Sequence, residues 1–115
     1  KDYDILIITA PLTPQTHHLI SKSSLEAMKY GTVLVNIARG ALIDESAMCD
    51  VLARRTDLHA ILDVFEQEPL PKECKLWSLS NVSISPHNSF VSNGNATCMF
   101  NVIYSNLESY ITKQA

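Results

Sequence analysis

Three short stretches of the chain each end on a side chain able to do anion or acid–base chemistry: Arg39 in VLVNIARG, Glu68 in AILDVFEQEP and His87 in VSISPHNS. A guanidinium grips a carboxylate through two parallel hydrogen bonds. An imidazole, with an unperturbed pKa of about 6.5, gives or takes a proton near neutral pH. A carboxylate beside that imidazole favours its charged form and fixes its orientation. Together these are the parts needed to hold and reduce a 2-oxo acid, with a cofactor carrying the hydride. Asp63, at the tip of a further apolar run, could accept a hydrogen bond from a nicotinamide carboxamide. The other side of the observation is an absence. Gly31, Gly40 and Gly94 are the only glycines, and no spacing among them makes the G-x-G-x-x-G turn that cradles a dinucleotide pyrophosphate.

The elements that must position these residues can be read from periodicity. Tyr3 to Ala10 is a nearly continuous apolar run closed by Pro11, which suits a strand buried on both faces of a parallel sheet. Ser23-Ser24-Leu25-Glu26 has the capping-box spacing and Gly31 falls where a left-handed stop would come, so a short helix is expected at about 23–30. Thr32 to Ala38 is a second β-branched run. Asp44 can cap the next helix, with Glu45 in its first turn and Arg54 and Arg55 in its last. His59 to Phe65 and Val82 to Ser85 give two more strands, separated by a proline-containing loop. Met99, Ile103, Leu107 and Ile111 recur every four residues and predict an amphipathic closing helix at about 92–113, whose Met99 and Phe100 should pack into the core.

Alternating strands and helices specify an α/β fold: an incomplete Rossmann-like, doubly wound parallel sheet of about four strands, without its glycine-rich half. Residues 1–115 read as a single truncated domain. In such sheets ligands bind beyond the carboxyl ends of the strands, where Pro11, Arg39, Asp63 and His87 all fall.

Composition narrows the partners. A hydrophobic fraction of 46% supports one modest core, while a net charge of -3 and a pI of about 5.7 leave no basic excess for nucleic acid. Apolar runs such as Ile5-Leu6-Ile7-Ile8 are far short of the roughly 20 residues of a membrane helix. Cys49, Cys74 and Cys98 are odd in number and widely spaced, which reads as reduced thiols in a cytoplasmic protein, and no secretory signal is visible. His17-His18 lack acidic or cysteine partners at ligand spacing, so no metal site is expected.

Singly, each candidate has a plainer reading. Arg39 before Gly40 can be a solvated turn residue, Asp63 a turn cap, Glu66 and Glu68 surface acids, and His87 a turn histidine. Their joint placement at successive strand ends favours the chemical reading.

The wording around these residues, PLTPQT, MKYGTVLVNIARGALIDESA, LDVFEQEPLP and LWSLSNVSISPH, resembles the D-isomer-specific 2-hydroxyacid dehydrogenases from about Asp4 to His87. The resemblance implies NAD as cofactor, with NADP not excluded, and a small 2-hydroxy or 2-oxo acid as substrate. It makes Arg39 the carboxylate clamp, His87 the acid/base and Glu68 its partner; Glu66 does not match that position. It also implies cofactor contacts from Ala10, Pro11, Thr16, Ile37, Ala38, Arg39, Asp63, His87 and Ser89, and a parent protein that is a homodimer. Thr9 stands where many members have His, and Asn88-Ser89 replaces a small-residue pair with Gly. The leading expectation is an oxidoreductase fragment inactive by itself. The alternative is a non-enzymatic dinucleotide sensor or corepressor-like scaffold.

Overall fold

Short apolar runs that end together are what the chain uses to build its sheet. The computed structural model describes residues 2–112. Four strands, β1 (Ile5–Ile8), β2 (Val33–Asn36), β3 (His59–Leu62) and β4 (Val82–Ile84), pair in parallel in the order β1-β2-β3-β4. Their register sets Ile8 beside Asn36, Asn36 beside Leu62, and Leu62 beside Ile84. All four strands therefore release the chain at one edge. The helix α1 (Lys22–Glu26) joins β1 to β2, and α2 (Glu45–Arg54) joins β2 to β3. Short 3-10 turns at Gly40–Leu42 and Lys75–Ser78 complete the connections, and α3 (Asn95–Thr112) follows β4. This is the expected α/β, Rossmann-like arrangement of a four-stranded parallel sheet with helices.

Leu25 of α1 and Met48, Val51 and Leu52 of α2 pack with Ile8, Leu34, Ala60 and Leu62 into one core. Asp44 caps α2, its Oδ1 accepting from Ala47 N at 2.9 Å, as the sequence indicates. Arg55 ties the two helices: it pairs with Asp57 at 2.6 Å and donates to the Glu26 and Met28 carbonyls.

Three expectations are corrected. First, α1 is capped by Ser21, whose Oγ accepts from Ser24 N, and it ends at Glu26 rather than running over 23–30. Gly31 does adopt a left-handed φ of 79°, but in the turn that leads into β2. Second, β1 is buried on one face only. Successive strand residues point to opposite faces, and Ile5 and Ile7 stay 60% and 55% exposed, because both α1 and α2 lie against the other face. Third, α3 buries none of its residues, so Met99 and Phe100 are surface side chains. Position 113, to which the closing helix is expected to run, lies outside the described residues.

Candidate functional site

The common strand edge brings together the segments that leave β3 and β4. After β3 the chain runs through Asp63, Phe65 and Glu68; after β4 it runs through Ser85 and His87. His87 Nδ1 and Glu68 Oε2 meet at 2.7 Å, and the other Glu68 oxygen accepts from Phe65 N at 3.0 Å. The His87 hydrogen bond first, and the Phe65 N–H second, hold the Glu68 carboxyl below the usual glutamate range. With Nδ1 turned to a carboxylate, that nitrogen carries the proton and Nε2 is left to exchange one with a ligand. The pair lines a cavity of about 500 Å³ together with Phe65, Pro69, Leu70, Trp77 and Ile84. A histidine–carboxylate pair thus shares the walls of an otherwise apolar hollow.

Asp63 lies beneath the same loop, only 2% exposed. Its Oδ1 accepts from Ser85 Oγ at 2.5 Å and Asn88 N at 3.0 Å, and its Oδ2 from Ser89 N at 2.9 Å. Burial pushes this carboxyl up, but the donors from Ser85, Ser89 and Asn88 outweigh it and hold the group well below the ordinary range. The charge therefore faces inward, toward the loop that carries His87.

A second cleft, of about 440 Å³, opens between the ends of β1 and β2, with Ala10, Pro11, Ala38 and Arg39 in its walls. Thr16 braces the Pro11 wall by donating to the Pro11 carbonyl at 2.8 Å. Ile37 is exposed beside it. Arg39 donates to the Ala38 carbonyl at 2.6 Å and, among the described residues, forms no ion pair. The structure therefore joins Glu68 to His87 directly, collects Ala10, Pro11, Ala38 and Arg39 in a neighbouring cleft, and places Ser89 on the His87 loop.

Some contacts important to this geometry are not foreseen by sequence reasoning. Asn36, 1% exposed, closes β2 by donating to the Arg39 carbonyl at 2.9 Å and accepting from Ala38 N at 3.1 Å. An Asn ending an apolar strand before a turn is the signal that could have found it. Gly40 runs against the backbone of Phe65, where a Cβ would come within 1.9 Å of the carbonyl carbon. His18, at a φ of 52°, pairs with Glu66 at 2.8 Å, and Glu66 and Glu45 each accept from the other's backbone N–H. No local pattern announces the last two.

Residues 1–89 match the family described as D-isomer specific 2-hydroxyacid dehydrogenase, NAD binding domain. Glyoxylate/hydroxypyruvate reductase B of Pectobacterium carotovorum subsp. carotovorum is 49% identical over 84 residues, covering 73% of this chain and 26% of that protein. The reductase of the same name from Erwinia tasmaniensis is 51% identical over 85 residues, again 73% of this chain and 26% of that one. Among solved structures, a D-isomer specific 2-hydroxyacid dehydrogenase family protein from Aeromonas salmonicida superposes with a TM-score of 0.81 at 36% identity, covering 97% of this chain and 36% of that one. A probable 2-hydroxyacid dehydrogenase from Rhizobium etli, solved with NADP, HEPES and L(+)-tartaric acid, gives 0.82 at 32% identity, covering 96% and 36%. The chain spans about a quarter of the length of the curated relatives it matches.

Proposed function

Because the chain belongs to the D-isomer-specific 2-hydroxyacid dehydrogenase family, through its NAD-binding domain, we propose that it supplies the acid/base and nicotinamide-side part of an NAD(P)-dependent oxidoreductase acting on a small 2-hydroxy or 2-oxo acid. The observation that carries this reading is the His87–Glu68 pair, at 2.7 Å, at the carboxyl edge of a parallel sheet. Glyoxylate and hydroxypyruvate, the substrates in the names of the similar reductases, are the first compounds to try.

The second cleft fits a flat ring, since the small side chains of Ala10 and Ala38 and the rigid Pro11 leave a shallow wall beside Arg39. Thr16, Ile37 and Ser89 complete the proposed cofactor side, while Asp63 enters through the loop it holds. When bound there, a reduced nicotinamide supplies the hydride to the carbonyl carbon. The chain's own residues do the rest. Arg39, whose guanidinium among the described residues donates only to the Ala38 carbonyl, can turn onto the substrate carboxylate. His87 gives its Nε2 proton to the carbonyl oxygen, so that hydride and proton together make the hydroxyl. Glu68, fixed by Phe65 N, keeps Nδ1 protonated and stabilises the imidazolium when the reaction runs toward the oxo acid.

The test is NADH and NADPH oxidation with glyoxylate, hydroxypyruvate, pyruvate and longer 2-oxo acids, in the whole protein that carries these residues, the 115-residue stretch by itself being proposed to be inactive. Turnover is expected, and His87→Gln should reduce it roughly 10²–10⁴-fold. A His87→Gln protein of undiminished rate removes the proposed acid. A folded protein that binds dinucleotide but turns over none of the acids supports the sensor or scaffold reading instead. A homodimer belongs to the same proposal, checked by the mass of that polypeptide in solution.

A further inference from the structure

We infer that Asp63 is the positioning residue for His87, its buried carboxylate acting as the post around which the loop after β4 is wound. This deepens the proposed function, since it rests on His87 as the acid/base. His87 has a φ of 52°, a left-handed conformation that a side chain with a Cβ adopts only when its surroundings hold it there. The surroundings that do so are specific. Ser85, two positions before His87, and Asn88 and Ser89, the two positions after it, all donate to the one carboxylate. The donors straddle the histidine, so the loop is pinned on both sides and the ring at its apex is presented to Glu68 at 2.7 Å.

A carboxylate is required here, not merely an acceptor. Oδ1 takes two donors and Oδ2 takes a third. An amide of the same shape has one oxygen, and in either orientation its NH2 would face a backbone N–H, that of Asn88 or that of Ser89, which cannot accept a hydrogen bond. Asp63→Asn thus leaves the packing volume unchanged while opposing at least one of the loop's three anchors. Its predicted effect is release of the left-handed turn and separation of His87 from Glu68.

The consequence can be read without turnover, by following side-chain carboxyl resonances of the chain through an acid titration with carbon-13 NMR. In the unaltered chain Glu68 titrates below the ordinary glutamate value. In Asp63→Asn it should rise toward the ordinary value of an unpaired glutamate. The sign is diagnostic, because the Asp63 charge itself raises the Glu68 pKa, and removing that charge alone would lower it further. Asp57, held at about 2 chiefly by Arg55 on the opposite side of the fold, serves as the internal reporter of folding. A Glu68 midpoint that stays depressed in Asp63→Asn, with Asp57 still near 2, overturns the proposal. If Asp57 shows that this variant unfolds, Ser85→Ala decides: it removes one anchor and keeps the charge, so an upward move of Glu68 supports the positioning role and an unmoved Glu68 refutes it. Glu68 released by these changes in a protein without 2-oxo acid reductase activity would retain the positioning role and reject the oxidoreductase reading.

Discussion

At the scale of single residues, Glu68 does two things with one carboxylate. One oxygen meets the His87 ring and the other ties down Phe65 N, so the group that orients that imidazole is itself fixed to the end of β3. That arrangement has a pH signature. The His87 bond and then the Phe65 bond lower the Glu68 pKa from its ordinary 4.5. A carboxyl depressed in the folded state contributes stability that is fully present above its unfolded value and lost as pH falls through its folded value. Glu68→Gln should therefore lower stability in urea at pH 6, by less than about 1 kcal/mol given the solvent around the pair. The loss should shrink as the buffer is taken below about 4.5. An equal loss at pH 6 and at pH 3 would mean that the charge contributes nothing and that only the shape of the side chain matters.

At the scale of elements, the decisive contact is between the turn that ends β2 and the segment that leaves β3. Gly40 is not needed for an unusual φ; it is needed because the Phe65 carbonyl group occupies the space of a Cβ, with Phe65 C at 1.9 Å and Glu66 N at 2.4 Å. Backbone atoms cannot swing aside as a flexible side chain can. Gly40→Ala should therefore exceed ordinary overpacking, destabilising by roughly 3 kcal/mol or more in urea denaturation and separating the Arg39 turn from the Glu68 segment. A stability within 1 kcal/mol of the parent would show that the two turns move apart at little cost. The same pair shows what the sequence makes legible. Strands and α2 could be read because β-branched runs and the Asp44 cap are local signals, and the strand-end placement of Arg39, Asp63 and His87 followed from them. The first helix was displaced because Ser21, Ser23 and Ser24 offer nearly equivalent caps, and only the fold selects Ser21. Gly40 against Phe65, and Asp63 against Ser85, Asn88 and Ser89, depend on segments distant in the chain, and no periodicity reports them.

For the whole molecule, shape and surface chemistry point the same way. A compact domain of this length has a radius of gyration of roughly 13 Å. This chain has 18.0 Å, with a long axis of 61 Å against 29 and 26 Å across. The excess accompanies α3, an 18-residue helix without a buried residue. Its Met99, Phe100, Ile103, Leu107 and Ile111 are each more than half exposed, and so are Ile5 and Ile7 on the open face of the sheet. The four-residue spacing that reads as a core-facing stripe is present, but no element of the described residues covers it. Apolar surface of that extent is removed from water by association when nothing else covers it. The 115-residue chain should accordingly show a mass by sedimentation that rises with concentration. Replacing Ile103 and Leu107 by lysine should shift it toward the monomer without altering the Asp57 or Glu68 titrations, since neither residue touches the core. A wild-type chain that remains monomeric at concentrations of about 100 μM, where contacts worth only ~5.5 kcal/mol would already be half formed, would show that these faces do not pair with one another in solution.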